Sequence, residues 1–236
     1  MLSISTIDRA LEQRDYDRLL RDLGRNGLVM PLPLRVQLAE SAVGACGLGL
    51  RRLIELTYGP TALTRQLIDK LIRAQASSGI KTGAIPDAAG RPSCLLTACF
   101  AAGLGRVLRD HADRLGDQRV EIESAYGRAV AALSTMQGPD GLFTGPQDRH
   151  DRDRLLTSAF IAYLLIDAPA FAERCRGHAL LSALEDRHGE CGPATAELID
   201  MARLTRLLPA GATSPTDKQA NPAEPIHTQP NLLTAA

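Results

Sequence analysis

Tryptophan is absent from this chain, and four phenylalanines and four tyrosines are all the aromatic residues among its 236. A site that holds a cation against aromatic ring faces therefore has little to be built from. An excess of charge of either sign is lacking as well. The 27 basic residues cancel the 27 acidic ones, so no overall field draws the protein to nucleic-acid phosphates or to an anionic membrane surface. Long apolar runs are also missing: the longest, 155–166, falls short of the roughly 20 residues that cross a bilayer. Residues 1–23 are charged and helix-like, with no basic head leading into an apolar stretch, which is not the pattern of a secretory signal. These absences predict no nucleic-acid partner, no membrane span and a cytoplasmic location.

Cysteine is scarce and odd in number. Cys46, Cys94, Cys99, Cys175 and Cys191 mostly fall within apolar segments, the setting of small reduced core residues and not of a disulfide framework. There is no Gly-x-Ser-x-Gly, and His111 and His227 have no nucleophile patterned near them, so serine or cysteine hydrolysis has no motif here. Gly44-x2-Gly47-x-Gly49 is not a dinucleotide loop, because no strand precedes it.

What the chain does contain is an internal repeat. Leu71, Gln75, Gly79, Thr82-Gly83 and Leu95-Leu96-Thr97-Ala98-Cys99-Phe100 match Leu133, Gln137, Gly141, Thr144-Gly145 and Leu155-Leu156-Thr157-Ser158-Ala159-Phe160. Self-similarity at a period of about sixty residues is the mark of an array of supersecondary units. Weaker copies flank the pair: Leu20, Gly27, Ser41-Ala42 and Cys46-Gly47-Leu48-Gly49 upstream, and Leu184, Gly189 and Thr195-Ala196 downstream. Four helical hairpins are expected.

Within each unit the apolar pattern alternates. In 61–75, Leu63, Leu67, Ile68, Leu71 and Ile72 form one stripe, opposite Arg65, Gln66, Asp69 and Arg73, which predicts a helix with one wet face. Residues 94–108 and 155–166 are apolar almost all round, which predicts helices buried on every side. Outer amphipathic helices alternating with inner apolar ones give an all-α fold of tandem hairpins, a partial α/α toroid or superhelix. The Gly- and Pro-rich stretches 79–92 and 138–146 supply the reversals. Gly47, Gly49, Gly103 and Gly105 fall inside predicted helices, where glycine costs about 1 kcal/mol relative to alanine, so close helix-to-helix approach is expected there. The hairpin domain is expected over 1–208. Beyond it, 209–236 is rich in Gly, Pro, Thr, Asn and Gln and reads as a disordered tail.

The recurring Leu-x3-Gln-x3-Gly followed by Thr-Ala or Thr-Ser on an apolar helix resembles the repeats of the squalene-hopene cyclase and protein prenyltransferase β-subunit superfamily, over roughly 19–208. The resemblance implies an α/α toroid or part of one. In the cyclase branch an Asp-x-Asp-Asp motif precedes a Thr-Ala helix and its middle aspartate is the proton donor. Asp151-Arg152-Asp153-Arg154 stands at a similar place before Thr157-Ser158, so the resemblance implies catalytic roles for Asp151 and Asp153, with Asp153 as the donor. The chain departs from that pattern at Arg154, where a cation beside Asp153 would lower its proton affinity. It also has no Asp-x-Cys pair of the kind the prenyltransferase zinc site uses.

Two further clusters carry residue types that ligate metals. Asp148, Asp151 and Asp153 offer hard oxygen ligands suited to Mg²⁺, but arginines are interleaved and helix capping is the competing role. Cys175-x2-His178 and His188-x2-Cys191 are Zn²⁺ half-sites by spacing, yet a continuous helix over ten residues would hold them roughly 15 Å apart. No cofactor is assigned. The sequence thus favours a non-catalytic or degenerate repeat module that binds a partner protein or an apolar small molecule, with an open edge suited to a second copy of the chain. The alternative is an isoprenoid-handling enzyme working through Asp151 and Asp153.

Overall fold

The computed structural model describes residues 2–57, 60–77, 83–146 and 148–207. The expected repeat positions Gly79 and Thr82, and the expected tail over 209–236, lie outside the described residues. Eleven α-helices account for nearly all regular structure among the described residues: α1 (Ile4–Glu12), α2 (Tyr16–Arg25), α3 (Leu32–Ala39), α4 (Ala42–Leu56), α5 (Ala62–Ser77), α6 (Cys94–His111), α7 (Gln118–Met136), α8 (Asp151–Leu165), α9 (Pro169–Arg174), α10 (Gly177–Asp186) and α11 (Pro193–Leu207). A two-residue antiparallel pair, β1 (Ile85–Pro86) with β2 (Pro92–Ser93), closes the loop before α6. The fold is all-α, as the periodicity predicts. None of the described helices is long and apolar enough to cross a membrane.

The apolar segments do form the interior. On α6, every residue from Cys94 to Leu104 is buried, and on α8 so is every residue from Thr157 to Leu165. The contacts run in sequence order: α4 lies against α6, α6 against α8, and α8 against α11. The amphipathic α5 packs on α4 and α7, and α7 covers α6. On α5 the expected stripe is buried at Leu67, Ile68, Leu71 and Ile72 while Arg65, Gln66 and Arg73 face water.

The α4–α6 contact is the tightest in the molecule. A Cβ placed on Gly47 would fall 2.3 Å from the Cys99 carbonyl oxygen, and one on Gly103 would fall 2.7 Å from the Gly47 carbonyl oxygen. Two backbones touch directly here, as the helical glycines predict. Gly105 leaves room for the Tyr126 ring, 3.0 Å from its would-be Cβ, whereas Gly49 sits at ordinary contact distance from Leu19.

The repeat is real at the level of hydrogen bonds, though in a register different from the one its letters suggest. Gln75 donates to the Gly83 carbonyl (2.9 Å) and Gln137 to the Gly141 carbonyl (2.7 Å). Both glycines adopt positive φ, +81° and +80°. Two residues later the backbone N–H is received by a helix hydroxyl: Ile85 by Thr97 Oγ1 (2.9 Å), Phe143 by Ser158 Oγ (2.8 Å). Gly141 therefore corresponds to Gly83, not to Gly79, and Ser158, not Thr157, corresponds to Thr97. The first loop is longer, and the latch requires a left-handed residue followed by an N–H aimed at the helix, so geometry sets the pairing.

Candidate functional site

The series α4, α6, α8 has two ends. At one, the starts of α4 and α6 and the loop leading into α8 surround a cleft of 130 Å³, lined by Ser41, Ser93, Leu96, Thr157 and the Asp87–Arg91 pair among others. Ser41 and Ser93 are the N-caps of α4 and α6, accepting from the Gly44 and Leu96 N–H groups. Polar residues gather here because helix starts leave N–H groups that need acceptors.

Asp87 holds the β1–β2 turn. It accepts from the Ala89 and Arg91 backbone N–H groups and meets the Arg91 guanidinium with two bonds, at 2.9 and 3.1 Å. Burial acts to raise its pKa, but the Arg91 and Ala89 donors outweigh it and keep the carboxyl below its ordinary value. Beside the cleft, Asp148 accepts from the Gly145 N–H (2.6 Å) and the Thr157 hydroxyl (3.1 Å). Desolvation raises its pKa above the usual 3.8 despite those donors. Cys94 is raised to about 12, by burial first and by the Asp148 charge second, so it is a protonated thiol at neutral pH and not a nucleophile. The hydroxyls of Ser41, Ser93 and Thr157 are engaged in capping or in holding Asp148.

Asp148 gives a signed expectation. Because its pKa is raised on folding, its favourable contribution is complete below the unfolded value near 3.8 and is lost as pH rises through the folded value. Asp148→Asn keeps an acceptor for the Gly145 N–H and turns an amide donor toward the Thr157 hydroxyl, which then accepts in place of donating. Urea midpoints measured from pH 3 to pH 7 should show the variant gaining on wild type as pH rises; a constant difference between the two would refute the assignment.

The sequence-derived candidates lie elsewhere. Ser158 is the eighth residue of α8 whereas its counterpart Thr97 is only the fourth of α6, so α8 begins about one turn early. Asp151 and Asp153 sit on that extra turn and line neither described cleft. The Asp153 carboxylate accepts from the backbone N–H groups of Arg149 (3.2 Å) and His150 (3.1 Å), as part of a capping box at the start of α8. Asp151, with 59% of its side chain exposed, pairs with Arg154 at 3.3 Å and Arg187 at 3.0 Å. Arg154 reaches Asp140 and Asp151, not Asp153 as adjacency in sequence suggests. Asp153→Ala should lower stability by about 1 kcal/mol through loss of the cap, read as a shift in the urea midpoint; an unchanged midpoint would contradict the capping role.

The metal candidates do not converge. Cys175 is buried and donates to the Val130 carbonyl, while His178 on the next helix is exposed. The chain does break between them, with Arg176 at φ +46°. His188 faces Asp200 at 3.5 Å and Cys191 donates to the Arg187 carbonyl. No group of three or more His, Cys, Asp or Glu that could hold a metal ion occurs among the described residues.

Sequence reasoning missed the role of Asp148 beside the cleft. It also missed a second cleft, at the far ends of α4 and α8, where Arg51, Arg52 and Tyr163 meet. No spacing rule links residues that far apart; only the burial of arginines near otherwise apolar helix faces could have drawn attention to them. No family model, no curated protein and no solved structure matches this chain.

Proposed function

We propose that this chain is a non-catalytic α/α hairpin module that binds a partner protein, with α4, α6, α8 and α11 as the inner wall of a partial toroid or superhelix. The observation that carries the reading is that four of the seven exposed large apolar side chains among the described residues fall in two pairs, Val120 on α7 standing apart. Leu32 and Val36 stand one turn apart on α3, and Leu204 and Leu207 one turn apart on α11; all four are exposed. The two pairs flank opposite ends of the α4, α6, α8, α11 series, and open apolar surface on edges suits a protein better than a small apolar ligand. The clefts of 130 and 170 Å³ are below the roughly 300 Å³ at which drug-sized ligand pockets begin.

The isoprenoid-handling alternative finds less support. A cyclase acid must be held protonated and must face a chamber, whereas Asp153 is engaged with backbone donors and Asp151 with guanidiniums. The acid with a raised pKa is Asp148, and the cleft beside it is small. Two experiments separate the readings. A Leu32→Glu/Val36→Glu variant and a Leu204→Glu/Leu207→Glu variant should keep the helical circular-dichroism spectrum. At least one should lose a protein that co-purifies with wild type from its native host. Wild type that elutes alone as a monomer, or that converts a polyprenyl diphosphate or squalene in an Asp148-dependent manner, would overturn the proposal.

A further inference from the structure

The second cleft has a chemistry that the scaffold reading does not use. It encloses 170 Å³ between the end of α2, the second half of α4 and Tyr163 of α8. Leu23, Leu28 and Leu48 make one wall apolar, and Arg51, Arg52 and Tyr163 supply hydrogen-bond donors on the other. The acceptors do not match them in number. Glu55 is the one carboxylate in the lining, and it is approached by three guanidiniums. Only Arg52 bonds it, at 2.8 Å; Arg51 and Arg106 stay at 3.6 Å, beyond a hydrogen bond.

Arg51 is the key residue. Its side chain is only 16% exposed, and apart from the 3.6 Å ion pair with Glu55, which two other guanidiniums share, its partners are neutral: the Leu164 carbonyl oxygen at 3.2 Å and the face of the Tyr163 ring, 5.7 Å from the guanidinium carbon. A guanidinium carries five donors, and one of them is engaged. Tyr163 is 7% exposed and its hydroxyl accepts from the Val29 N–H, which leaves the phenolic proton available to donate. A largely buried cation whose one carboxylate is hydrogen-bonded to another arginine, beside a free phenolic proton and an apolar wall, is incomplete in a particular way. It lacks an anion with a short greasy end.

We propose that this cleft binds a small organic monocarboxylate. The carboxylate lies against Arg51 and Arg52 and accepts the Tyr163 proton, and its apolar end rests on Leu23, Leu28 and Leu48. The planar two-oxygen acceptor matches the guanidinium fork, and the volume holds a short acid rather than a fatty acyl chain. The site is independent of the protein-binding edges, so either assignment can fail alone.

The test is a titration of the full-length protein with butyrate, with butyramide and inorganic phosphate as comparison probes. It is followed by ¹H–¹⁵N spectra, with the Gly27, Leu28 and Val29 amides as reporters. Butyrate should shift these amides saturably, butyramide should not, and phosphate, having no apolar end, should bind at least several-fold more weakly than butyrate. Arg52→Gln, which spares the Arg51 contact with α8, should weaken butyrate at least tenfold while the remaining spectrum stays native. Tyr163→Phe keeps the ring under Arg51 and should weaken it several-fold. Equal responses to butyrate and butyramide, phosphate binding as tightly as butyrate, or undiminished butyrate binding by a folded Arg52→Gln protein would each overturn the assignment.

Discussion

Replacing Gly47 or Gly103 by alanine should destabilise the protein by about 3 kcal/mol or more, the upper range for overpacking a core. Local propensity predicts the opposite sign, since alanine is the better helix former by about 1 kcal/mol. The structure decides the matter because the atoms a new methyl would meet are backbone: the Cys99 carbonyl oxygen and carbon at 2.3 and 2.7 Å from Gly47, and the Gly47 carbonyl oxygen at 2.7 Å from Gly103. Backbone in a helix cannot swing aside as a side-chain terminus can, so α4 and α6 must separate and release the packing between them. Gly127→Ala on α7 is the control. Nothing lies within 4 Å of its would-be Cβ, and that variant should gain up to about 1 kcal/mol. At roughly 2–4 °C per kcal/mol for a chain of this size, the two substitutions should move the thermal midpoint in opposite directions. Equal shifts would show that α4 and α6 do not touch as described.

Gln75→Ala should be the next most damaging change, at about 2–3 kcal/mol. The Gln75 amide donates to the Gly83 carbonyl at 2.9 Å and the Ala125 carbonyl at 3.1 Å, and its oxygen accepts from Arg128 Nε and Nη2 at 3.2 and 2.8 Å. It is nearly fully buried, so truncation strands carbonyls that water does not easily reach, at about 1–3 kcal/mol for an unsatisfied buried group. One side chain thus ties α5, the loop before α6, and α7. Gln75→Glu distinguishes the two halves of this network. It preserves an acceptor for Arg128 but turns a carboxylate oxygen toward two carbonyls, and it should destabilise at least as much as alanine. If Gln75→Glu were instead neutral, the Arg128 contact would carry the stabilisation and the two carbonyl bonds of the amide would not. Gln137, which is half-buried and is bonded to the Gly141 carbonyl alone, should tolerate alanine with a loss of about 1 kcal/mol.

Much of the architecture was legible because periodicity reports burial directly. The wholly apolar segments became α6 and α8, and the striped one became α5 with Leu67, Ile68, Leu71 and Ile72 inside. Other elements left a weaker trace. Helix α3 is eight residues long, carries Pro33 in its first turn and exposes Leu32 and Val36, so its apolar letters do not mark a buried face. The first segment, helix-like throughout, is broken where Arg14 takes φ +56°, a conformation that no residue type at that position announces.

The candidate site was legible only in kind. An acidic stretch before a Thr-Ser helix was visible in Asp151 and Asp153, but which carboxylate meets which donor depends on where α8 begins. One added turn carries both residues past the cleft and leaves Asp148 beside it.

By itself the sequence determined that this protein is helical, that its helices alternate between wet and dry, and that Gly47, Gly49, Gly103 and Gly105 sit in helices, because each of these follows from side-chain period and backbone freedom along one chain. Tertiary structure decided the register of the repeat, the partner of every charged group and the meeting of Arg51 with Tyr163. The last joins segments more than a hundred residues apart, and all three depend on where helices begin and how whole helices pack.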